Sequence, residues 1–405
     1  MKKNQAILLA VAALASGNAF AGGFEKNVTW SGKYVGIGGA AVSRVEGSES
    51  LYFNPAGLAS KRGENGDVTL NFSPTFAKFK GPFVAGRQEE SDKSFIPVGG
   101  ATASYQIMDR LSVGVGYYVS GGTSATYESV NLTGVPVIGG TTPELKSELA
   151  LTELAVGLGY EVLPGLRLGA AWRMLNVNGD FFFAAPGAYT KIEDIKDTKY
   201  NGFKVGAQYQ NTDKTWGVGV MFRNGVNFNA DMRRSVSGGA TIPATDGTIR
   251  SSFPWQAAIG ANYSITEAWH LHGEFTHTDY DHNGKIDYTG AGAVSIPLNW
   301  KDQQNYRLGV EYTGFENLAL RAGYVFTSQV VPDGNANATF STPGNGHTVT
   351  IGAGRSFLEG NVLDVNVAAE HSWASADIAA NTGASVPGEY SSSSWAAHLG
   401  AAYKF

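Results

Sequence analysis

Hydrophobic and polar positions alternate along most of the chain after about residue 65. In one clear stretch Leu154, Val156 and Leu158 share a face, while small and charged residues occupy the positions between them. The same period of two recurs in residues 306–312. Because successive side chains of a β-strand point to opposite faces, this pattern predicts a sheet with one apolar face and one polar face.

The alternation divides the chain into fourteen predicted strands, an even number: 66–77, 94–108, 110–121, 148–163, 165–181, 200–210, 214–228, 250–265, 267–280, 303–314, 317–330, 346–358, 360–375 and 390–405. Six connections are tight and lie near Asp109, Pro164, Asp213, Thr266, Glu316 and Glu359. Seven are long: 78–93, 122–147, 182–199, 229–249, 281–302, 331–345 and 376–389. Tight and long connections alternate strictly along the chain, which sorts the loops to opposite ends of the predicted sheet.

This sorting is typical of outer-membrane β-barrels, which have short periplasmic turns and longer outer loops. A soluble β-sandwich has no reason to separate its loops in this way. The apolar face is then expected to meet lipid and the polar face to line the lumen. Aromatic residues in the lipid-facing register near the tight turns fit a periplasmic aromatic girdle: Tyr105, Tyr160, Tyr209, Tyr263, Trp269, Tyr312 and Tyr403. The sequence therefore predicts an all-β fold, a transmembrane antiparallel β-barrel of about fourteen strands.

The composition supports a membrane barrel. Charged residues make up only 16% of the chain, against roughly 25% in soluble domains. Glycine occurs 53 times and cysteine is absent, so there is no disulfide framework and no thiol chemistry. The net charge of −5 and the lack of a basic stripe argue against nucleic acid as a partner.

The N-terminal region divides into two parts before the first strand. Residues 1–21 have a charged start, a short apolar core and an Ala19-Phe20-Ala21 cleavage site, which predicts a signal peptide. Residues 22–65 are too short to form a domain with their own core. Because a lumen this wide is otherwise open, we expect this region to form a plug, or hatch, inside a barrel formed by residues 66–405.

The segment 51-LYFNPAGLAS-60 carries the most specific motif. Asn54 followed by Pro55 predicts a helix start, with the asparagine as N-cap and the proline at the first position. The run from Phe53 through Ala56 and Gly57, preceded by a glycine-rich stretch, resembles the hatch segment of the FadL family. Members of that family are bacterial outer-membrane transporters for long-chain fatty acids and related hydrophobic compounds. The resemblance implies a fourteen-stranded barrel whose hatch, including these five residues, gates passive uptake.

The family resemblance also suggests where a ligand binds and leaves. Outer loops carry apolar residues, which mark either a binding surface or loops that pack on each other as a lid: Leu132, Val137, Ile138, Phe182 and Phe183. In the family such loops are the first landing site. Family members release ligand sideways at a kink in the third strand, so Gly121 and Gly122 are candidates for a lateral gate. An ordinary strand end is the alternative there.

The predicted lumen face carries both cations and carboxylates. A charged network that supports the hatch explains them. Alternatively one cation holds a fatty-acid carboxylate, and Arg173 is the candidate, because it is mid-strand beside Leu175 and Val177. We found no catalytic constellation and predict neither an enzyme nor a cofactor or metal site.

The expected function is outer-membrane uptake of hydrophobic compounds by a monomer. A general porin for hydrophilic solutes and a surface adhesin or receptor barrel are the alternatives. The expected partners are the lipid bilayer and a hydrophobic small molecule. The terminal Phe405, in register with Trp395, Leu399 and Tyr403, resembles the signal that the outer-membrane barrel assembly machinery reads.

Overall fold

The structure is a computed structural model. It describes residues 30–60, 63–92, 94–133, 143–185, 188–238, 241–290, 293–339, 342–358, 360, 362–383 and 385–405. The predicted signal peptide lies outside these residues. Within them, no helix has both the length and the apolar character needed to cross a bilayer.

Strands dominate the chain after residue 65, as the alternating pattern predicts. They are β1 (Gly66–Val84), β2 (Arg87–Glu90), β3 (Ser94–Met108), β4 (Leu111–Tyr127), β5 (Leu145–Leu163), β6 (Leu166–Ala185), β7 (Ala188–Gln210), β8 (Trp216–Arg223), β9 (Val226–Gly238), β10 (Ile242–Phe253), β11 (Gln256–Ser264), β12 (Trp269–Thr278), β13 (Lys285–Tyr288), β14 (Val294–Pro297), β15 (Gln303–Phe315), β16 (Leu318–Thr327), β17 (Gly346–Phe357), β18 (Leu363–Ile378) and β19 (Gly388–Lys404). Short helices occupy Asp281–Asn283 and Asp333–Asn335 in two of the long connections.

The sheet closes on itself. Strand β1 pairs with β3 on one side and with the last strand, β19, on the other, from Asp67↔Lys404 to Lys80↔Ser391. Strands β8 and β9 together form one wall strand, and so do β10 and β11, while β2, β13 and β14 belong to outer connections. The result is a closed antiparallel barrel of fourteen strands, which confirms the predicted fold class.

The two faces of the wall differ as predicted. Val156, Leu158 and Tyr160 are between 46% and 51% exposed on the outside, whereas Ala155, between them on the inner face, is fully buried. Along β8 exposed and buried residues alternate without interruption. An apolar outer surface around a polar interior is the arrangement of a barrel that sits in lipid.

At the end where the long connections lie, here called the loop end, the strands continue further than predicted. Residues 182–199 and 229–249 were expected to be loops, but β6 and β7 run almost to the tip of their connection, and β9 and β10 form a second hairpin. The second hairpin packs beside the first through β7–β9 pairing. Apolar residues of these hairpins, such as Ile192 and Ile249, are buried in one cluster with Trp300 and Val330 of other outer connections. At the opposite, tight-turn end, the connections are short as predicted.

Residues 30–60, called the lumen segment below, lie inside the barrel. They contain the 3₁₀-helices Val35–Ile37, Gly47–Glu49 and Pro55–Ala59 and the α-helix Ser50–Phe53. Nearly every residue of this segment is buried. Since the segment is too short for a core of its own, the inner wall supplies its packing partners.

Candidate functional site

The lumen segment packs directly on glycines of the inner wall. A Cβ atom at Gly169 would lie 2.2 Å from the carbonyl carbon of Pro55, and one at Gly206 would lie 1.9 Å from Oδ1 of Asn54. A Cβ at Gly219 would lie 2.3 Å from the carbonyl oxygen of Val42. Only glycine leaves room for so close a backbone approach. The glycines of the lumen-facing register therefore form the surface on which the segment packs.

Asn54 makes four hydrogen bonds, two within the lumen segment and two to the wall. Its Oδ1 accepts from the backbone N–H of Ala56 at 3.2 Å, which caps the 3₁₀-helix that follows. Its Nδ2 donates to the carbonyl oxygens of Val42 at 2.8 Å, Ala207 at 3.1 Å and Val220 at 3.2 Å. The side chain is fully buried, so each of these bonds is made away from solvent.

The neighbours of Asn54 in the motif are packing residues. Phe53 is 6% exposed and contacts the ring of Tyr34, with the centroids 5.0 Å apart. Pro55 and Ala56 are buried against the wall, and Gly57 approaches Val45 so closely that a Cβ would lie 2.2 Å from its carbonyl oxygen. The motif thus forms a compact knot.

Three wall or segment carboxylates add polar anchors that the sequence reading did not single out. Asp67 accepts from the backbone N–H of Ser48 at 2.9 Å and from its hydroxyl at 2.6 Å. Glu274 accepts from the backbone N–H groups of Ala41 and Val42 at 3.0 and 2.9 Å. Glu49 of the segment accepts at 3.2 Å from Nδ2 of Asn71 in the wall. The sequence shows that Asp67 and Glu274 are carboxylates in the lumen-facing register. It does not show that they bind backbone N–H groups of the lumen segment, because these are distant in sequence.

Arg173 lies mid-wall and is 2% exposed. Its Nε and one terminal nitrogen donate to the two carboxylate oxygens of Glu153 at 2.9 and 2.7 Å. Tyr118 donates to the same carboxylate at 2.6 Å, and Lys204 donates to the carbonyl oxygen of Leu51 in the lumen segment at 3.1 Å. Among the described residues, the Nη1 atom of Arg173 has no hydrogen-bond partner. Arg173 therefore belongs to a network that supports the lumen segment and keeps one donor unused.

Above this network the inner space of the barrel is apolar. A cluster of buried residues extends from Leu151 and Leu175 up to Trp300 and Val331. Near the loop end it borders a cavity of about 110 Å³, whose lining includes Phe181, Phe183, Ile286, Tyr288 and Ile296. Burial raises the pKa of the Tyr288 phenol well above its usual range, so this residue lines the cavity as a neutral ring.

The predicted ligand-binding residues fall in different places. Phe183 lines the apolar cavity, whereas Phe182 is 8% exposed and lies beneath the amine of Lys191, which is 4.7 Å from its ring centroid. Leu132 is buried in a second apolar cluster, together with Tyr127 and Leu145. Val137 and Ile138 lie outside the residues that the structure describes.

The third wall strand, β4, carries an irregularity at the predicted glycine pair. Val119 pairs with Thr152 of β5 and Gly121 pairs with Leu151, so Ser120 is an extra residue in β4. Gly122 has a φ of 146°, a value that L side chains rarely adopt. An inserted residue of this kind is a β-bulge, which bends its strand. The strand does not end at the glycines but continues to Tyr127.

The bulge coincides with a gap in the ladder on the other side of β4. Pairing between β3 and β4 extends from the tight turn up to Gly100↔Tyr118. Beyond that point residues 94–99 of β3 keep their pairing with β1 on the other side but do not pair with β4. The two strands meet again where the N–H of Asp92 donates to the carbonyl oxygen of Thr126. The wall therefore lacks inter-strand hydrogen bonds between residues 94–99 and 119–125.

Apolar side chains stand behind the gap. Ile96, Val98 and Ala125 are almost fully buried and belong to one cluster, which also contains Trp30 of the lumen segment. The Trp30 ring stacks on Tyr118 at the lower edge of the gap, with 5.4 Å between centroids. The gap thus borders apolar space inside the barrel and is in contact with the lumen segment.

Comparisons with known proteins agree with this architecture. A family model described as outer membrane protein transport protein (OMPP1/FadL/TodX) matches residues 12–405. Among curated protein sequences, none matches this chain.

Several solved structures share the fold. A Pseudomonas aeruginosa FadL homologue has a TM-score of 0.77 at 16% identity, covering 95% of this chain and 100% of its own. The Pseudomonas putida toluene transporter TodX has a TM-score of 0.74 at 17% identity, covering 95% and 100%. The Ralstonia pickettii toluene transporter TbuX has a TM-score of 0.71 at 15% identity, covering 94% and 99%.

Proposed function

The chain belongs to the OMPP1/FadL/TodX family of outer-membrane transport proteins, and we propose that it takes up hydrophobic molecules by a gated lateral route. The ligand lands on apolar surface at the loop end, moves into the apolar interior and leaves sideways into the membrane. The lumen segment acts as the hatch that controls this movement. No energy source is needed, because each step follows the concentration gradient of the ligand.

The first step uses the apolar cavity near the loop end, between β6 and the β13–β14 connection. Its lining of Phe183, Ile286 and Tyr288 offers a hydrophobic molecule a place out of water, and such residues in loops mark binding surfaces. The buried cluster beneath it continues towards Leu151 and Leu175. The apolar surface is therefore continuous from the loops to the level of Arg173.

The class of ligand depends on the residues at the inner end of this path, near Arg173. A hydrocarbon needs only apolar walls, whereas a long-chain fatty acid also needs a donor for its carboxylate. Arg173, whose Nη1 atom is unused, lines a small cavity together with Leu151, Leu175, Arg223 and Phe253. Glu153, which is already paired with Arg173, would repel the carboxylate of a fatty acid bound there. Fatty acids and neutral hydrocarbons are both candidate ligands, and two of the structurally similar proteins are described as toluene transporters.

The observation that carries the proposal is the gap between residues 94–99 and 119–125. A barrel wall normally leaves no edge unpaired, since unpaired backbone groups in lipid cost several kcal/mol each. A gap that is backed by apolar side chains offers a hydrophobic molecule a way into the bilayer without passing through water. Gly121 and Gly122, next to the bulge at Ser120, then set the position of this exit.

The role of the hatch rests on where the lumen segment touches the rest of the path. Trp30 stacks on Tyr118 at the edge of the gap, and Leu51 and Tyr52 accept hydrogen bonds from Lys204 in the network below the apolar interior. A shift of the segment would therefore change both the contact at the edge of the gap and the hydrogen bonds to Lys204. Asn54 and Pro55 fix the segment to the wall and are the residues we assign to gating.

Removing the bulge tests the route directly. Deleting Ser120 brings Gly121 opposite Leu151 without a register break, so β4 is expected to straighten and pair with β3. Uptake of radiolabelled oleate and toluene by whole cells should then fall to the level of cells that lack the protein. Ser120→Ala keeps the extra residue and is the matched control. Equal uptake by the deletion variant and this control, at equal surface expression, would exclude the lateral route.

Two other functions make different predictions. A general porin conducts ions steadily, and a surface receptor barrel transports nothing. The close packing of the lumen segment on Gly169 and Gly206 argues against a porin, because an open pore needs no plug. The gap in the wall argues against a receptor, because a barrel that transports nothing needs no lateral exit. We further propose that the chain works as a monomer and that its last strand, together with Phe405 directly after it, is recognised by the barrel assembly machinery.

A further inference from the structure

A second cavity lies at the tight-turn end, away from the apolar path. It has a volume of about 320 Å³ and is bounded by the lumen segment on one side and by β12 and β15–β18 on the other. Its rim includes the tight turn at Asn317, so it opens towards the side where both barrel termini lie. We call it the vestibule. The segment leaves this space although it packs closely on wall glycines beside it, such as Gly309 and Gly323.

Two cationic or basic side chains at the vestibule carry unused hydrogen-bonding atoms. His272 of β12 is 5% exposed, and neither ring nitrogen has a hydrogen-bond partner among the described residues. Arg44 of the lumen segment has a buried Nη1 atom without a partner. Both residues line the vestibule. Buried polar atoms are rarely left without a partner, because desolvating them costs free energy.

The carboxylates nearby are already engaged. Glu311 accepts from Nε of Arg321 at 2.6 Å, and the Nη1 atom of Arg321 donates to Asn366 at 3.0 Å. Asp364 accepts from Ser356 at 2.6 Å and from Lys404 at 3.0 Å. The unused donors are therefore Nη1 of Arg44 and one N–H of the His272 ring. A group with acceptor oxygens would satisfy both, and a negative charge on it would match the guanidinium.

The remaining lining narrows the class of ligand. Apolar side chains border the same cavity: Ile37, Ala40, Ala41, Phe315, Leu318 and Ala319. An inorganic oxyanion, which has no apolar part, would leave these apolar side chains in contact with water. We propose that the vestibule binds an organic carboxylate with a short apolar tail, its oxygens accepting from Arg44 and His272.

Such a ligand has a structural consequence, which rests on the proposed function of the lumen segment. Arg44 belongs to the segment and His272 to the wall, so one bound carboxylate connects the two. A ligand that binds only the seated arrangement stabilises it by RT ln(1 + [L]/Kd), where [L] is the free ligand concentration. Carboxylate on this side of the membrane would therefore hold the hatch closed, which is feedback by a soluble anion on hydrophobic uptake.

Equilibrium dialysis of the full-length protein in detergent tests the site. The probes are radiolabelled butanoate, as a carboxylate with a short tail, and inorganic phosphate, as an oxyanion without one. We expect saturable butanoate binding that weakens about tenfold in Arg44→Gln and in His272→Phe, the loss expected for one charge-assisted hydrogen bond. Arg44→Lys should recover part of the affinity. Lys80→Gln, a charge-matched change in the outer part of the wall, should leave binding unchanged.

Three outcomes would overturn the proposal. Butanoate binding is absent in the wild type, or it is as strong in Arg44→Gln as in the wild type while the variant shows wild-type heat-modifiable mobility. Alternatively, phosphate competes with butanoate at equal concentration, which removes the role of the apolar lining. If Arg173→Gln abolishes butanoate binding and Arg44→Gln does not, the carboxylate sits at the lumen site, and the transport proposal survives although the vestibule proposal fails.

Discussion

Replacing Asn54 by alanine is expected to unseat the lumen segment without affecting the barrel. The change removes the cap on Ala56 and the donors to Val42, Ala207 and Val220. Losing an asparagine cap costs about 1 kcal/mol. Each of the two N–H groups of the amide contributes about 1 kcal/mol when its hydrogen bonds are lost.

The sum of about 3 kcal/mol corresponds to a roughly 100-fold change in an equilibrium constant. Two functional states of a protein commonly differ by only a few kcal/mol. A loss of this size therefore raises the unseated population of the segment from rare to substantial. The barrel itself is held by a closed ladder and a lipid-facing surface, to which Asn54 contributes little.

The assay is conductance in planar bilayers, recorded together with uptake of radiolabelled oleate and toluene by whole cells. We expect Asn54→Ala to show frequent ion-conducting openings and altered uptake, while its heat-modifiable mobility on gels is unchanged. Asn178→Ala, at an exposed position of β6, controls for the chemistry of the substitution. If Asn54→Ala stays as closed as the wild type and transports equally, the motif has no gating role and is only a packing knot.

Three further changes test neighbouring parts of the structure. Deleting residues 22–60 should leave a folded barrel that conducts ions steadily; a variant that inserts but stays closed would argue against a plug. Gly169→Val should prevent seating, because its Cβ meets segment backbone at 2.2 Å, whereas Gly273→Val, whose Cβ has only one neighbour, at 4.0 Å, should conduct no more than wild type. Glu153→Gln leaves Arg173 buried without its counter-charge, at a cost of about 3–5 kcal/mol, and should lower the unfolding temperature; an unchanged midpoint would contradict the network.

Much of the barrel follows from the sequence because lipid and lumen impose opposite demands on alternate residues. The strand Ser94–Met108 has the predicted bounds, and β17 differs from its prediction by one residue. Tight turns were also predictable, since their residues interrupt the alternation. The outward aromatic residues near these turns, among them Tyr105 and Tyr403, are exposed on the outer face.

The outer hairpins were less predictable from local pattern. The predicted strand ended at residue 181, although β6 continues through Phe182 and Phe183 to Ala185. These strands extend beyond the wall because the second hairpin pairs with the first, and because Ile192 and Ile249 are buried in a cluster that other outer connections complete. That stabilisation comes from a partner that is distant in sequence, and the alternation within one strand does not reveal it.

The site shows the same division between local and distant causes. The cap at Asn54 is local, and the asparagine–proline pair predicted it. The glycine pair at Gly121 indicated an irregular strand, but the gap depends on where the pairing between β3 and β4 ends, at Gly100↔Tyr118. The Arg173–Glu153 pair joins adjacent strands diagonally, since Glu153 lies opposite Leu175. Lumen-facing position was predictable for both residues, whereas their pairing required the register.

The most direct test of the proposed function compares the permeation of sugars through the purified protein with the uptake of hydrophobic molecules by cells that produce it. In liposomes that contain it, we expect no swelling with arabinose or sucrose, while cells that produce it take up oleate, toluene or both much faster than cells that lack it. Uptake should persist when the cells are depleted of energy and should be lost when Ser120 is deleted. Sugar-driven swelling without any faster uptake of these hydrophobic probes would contradict a hatch-gated transporter and would identify a general porin.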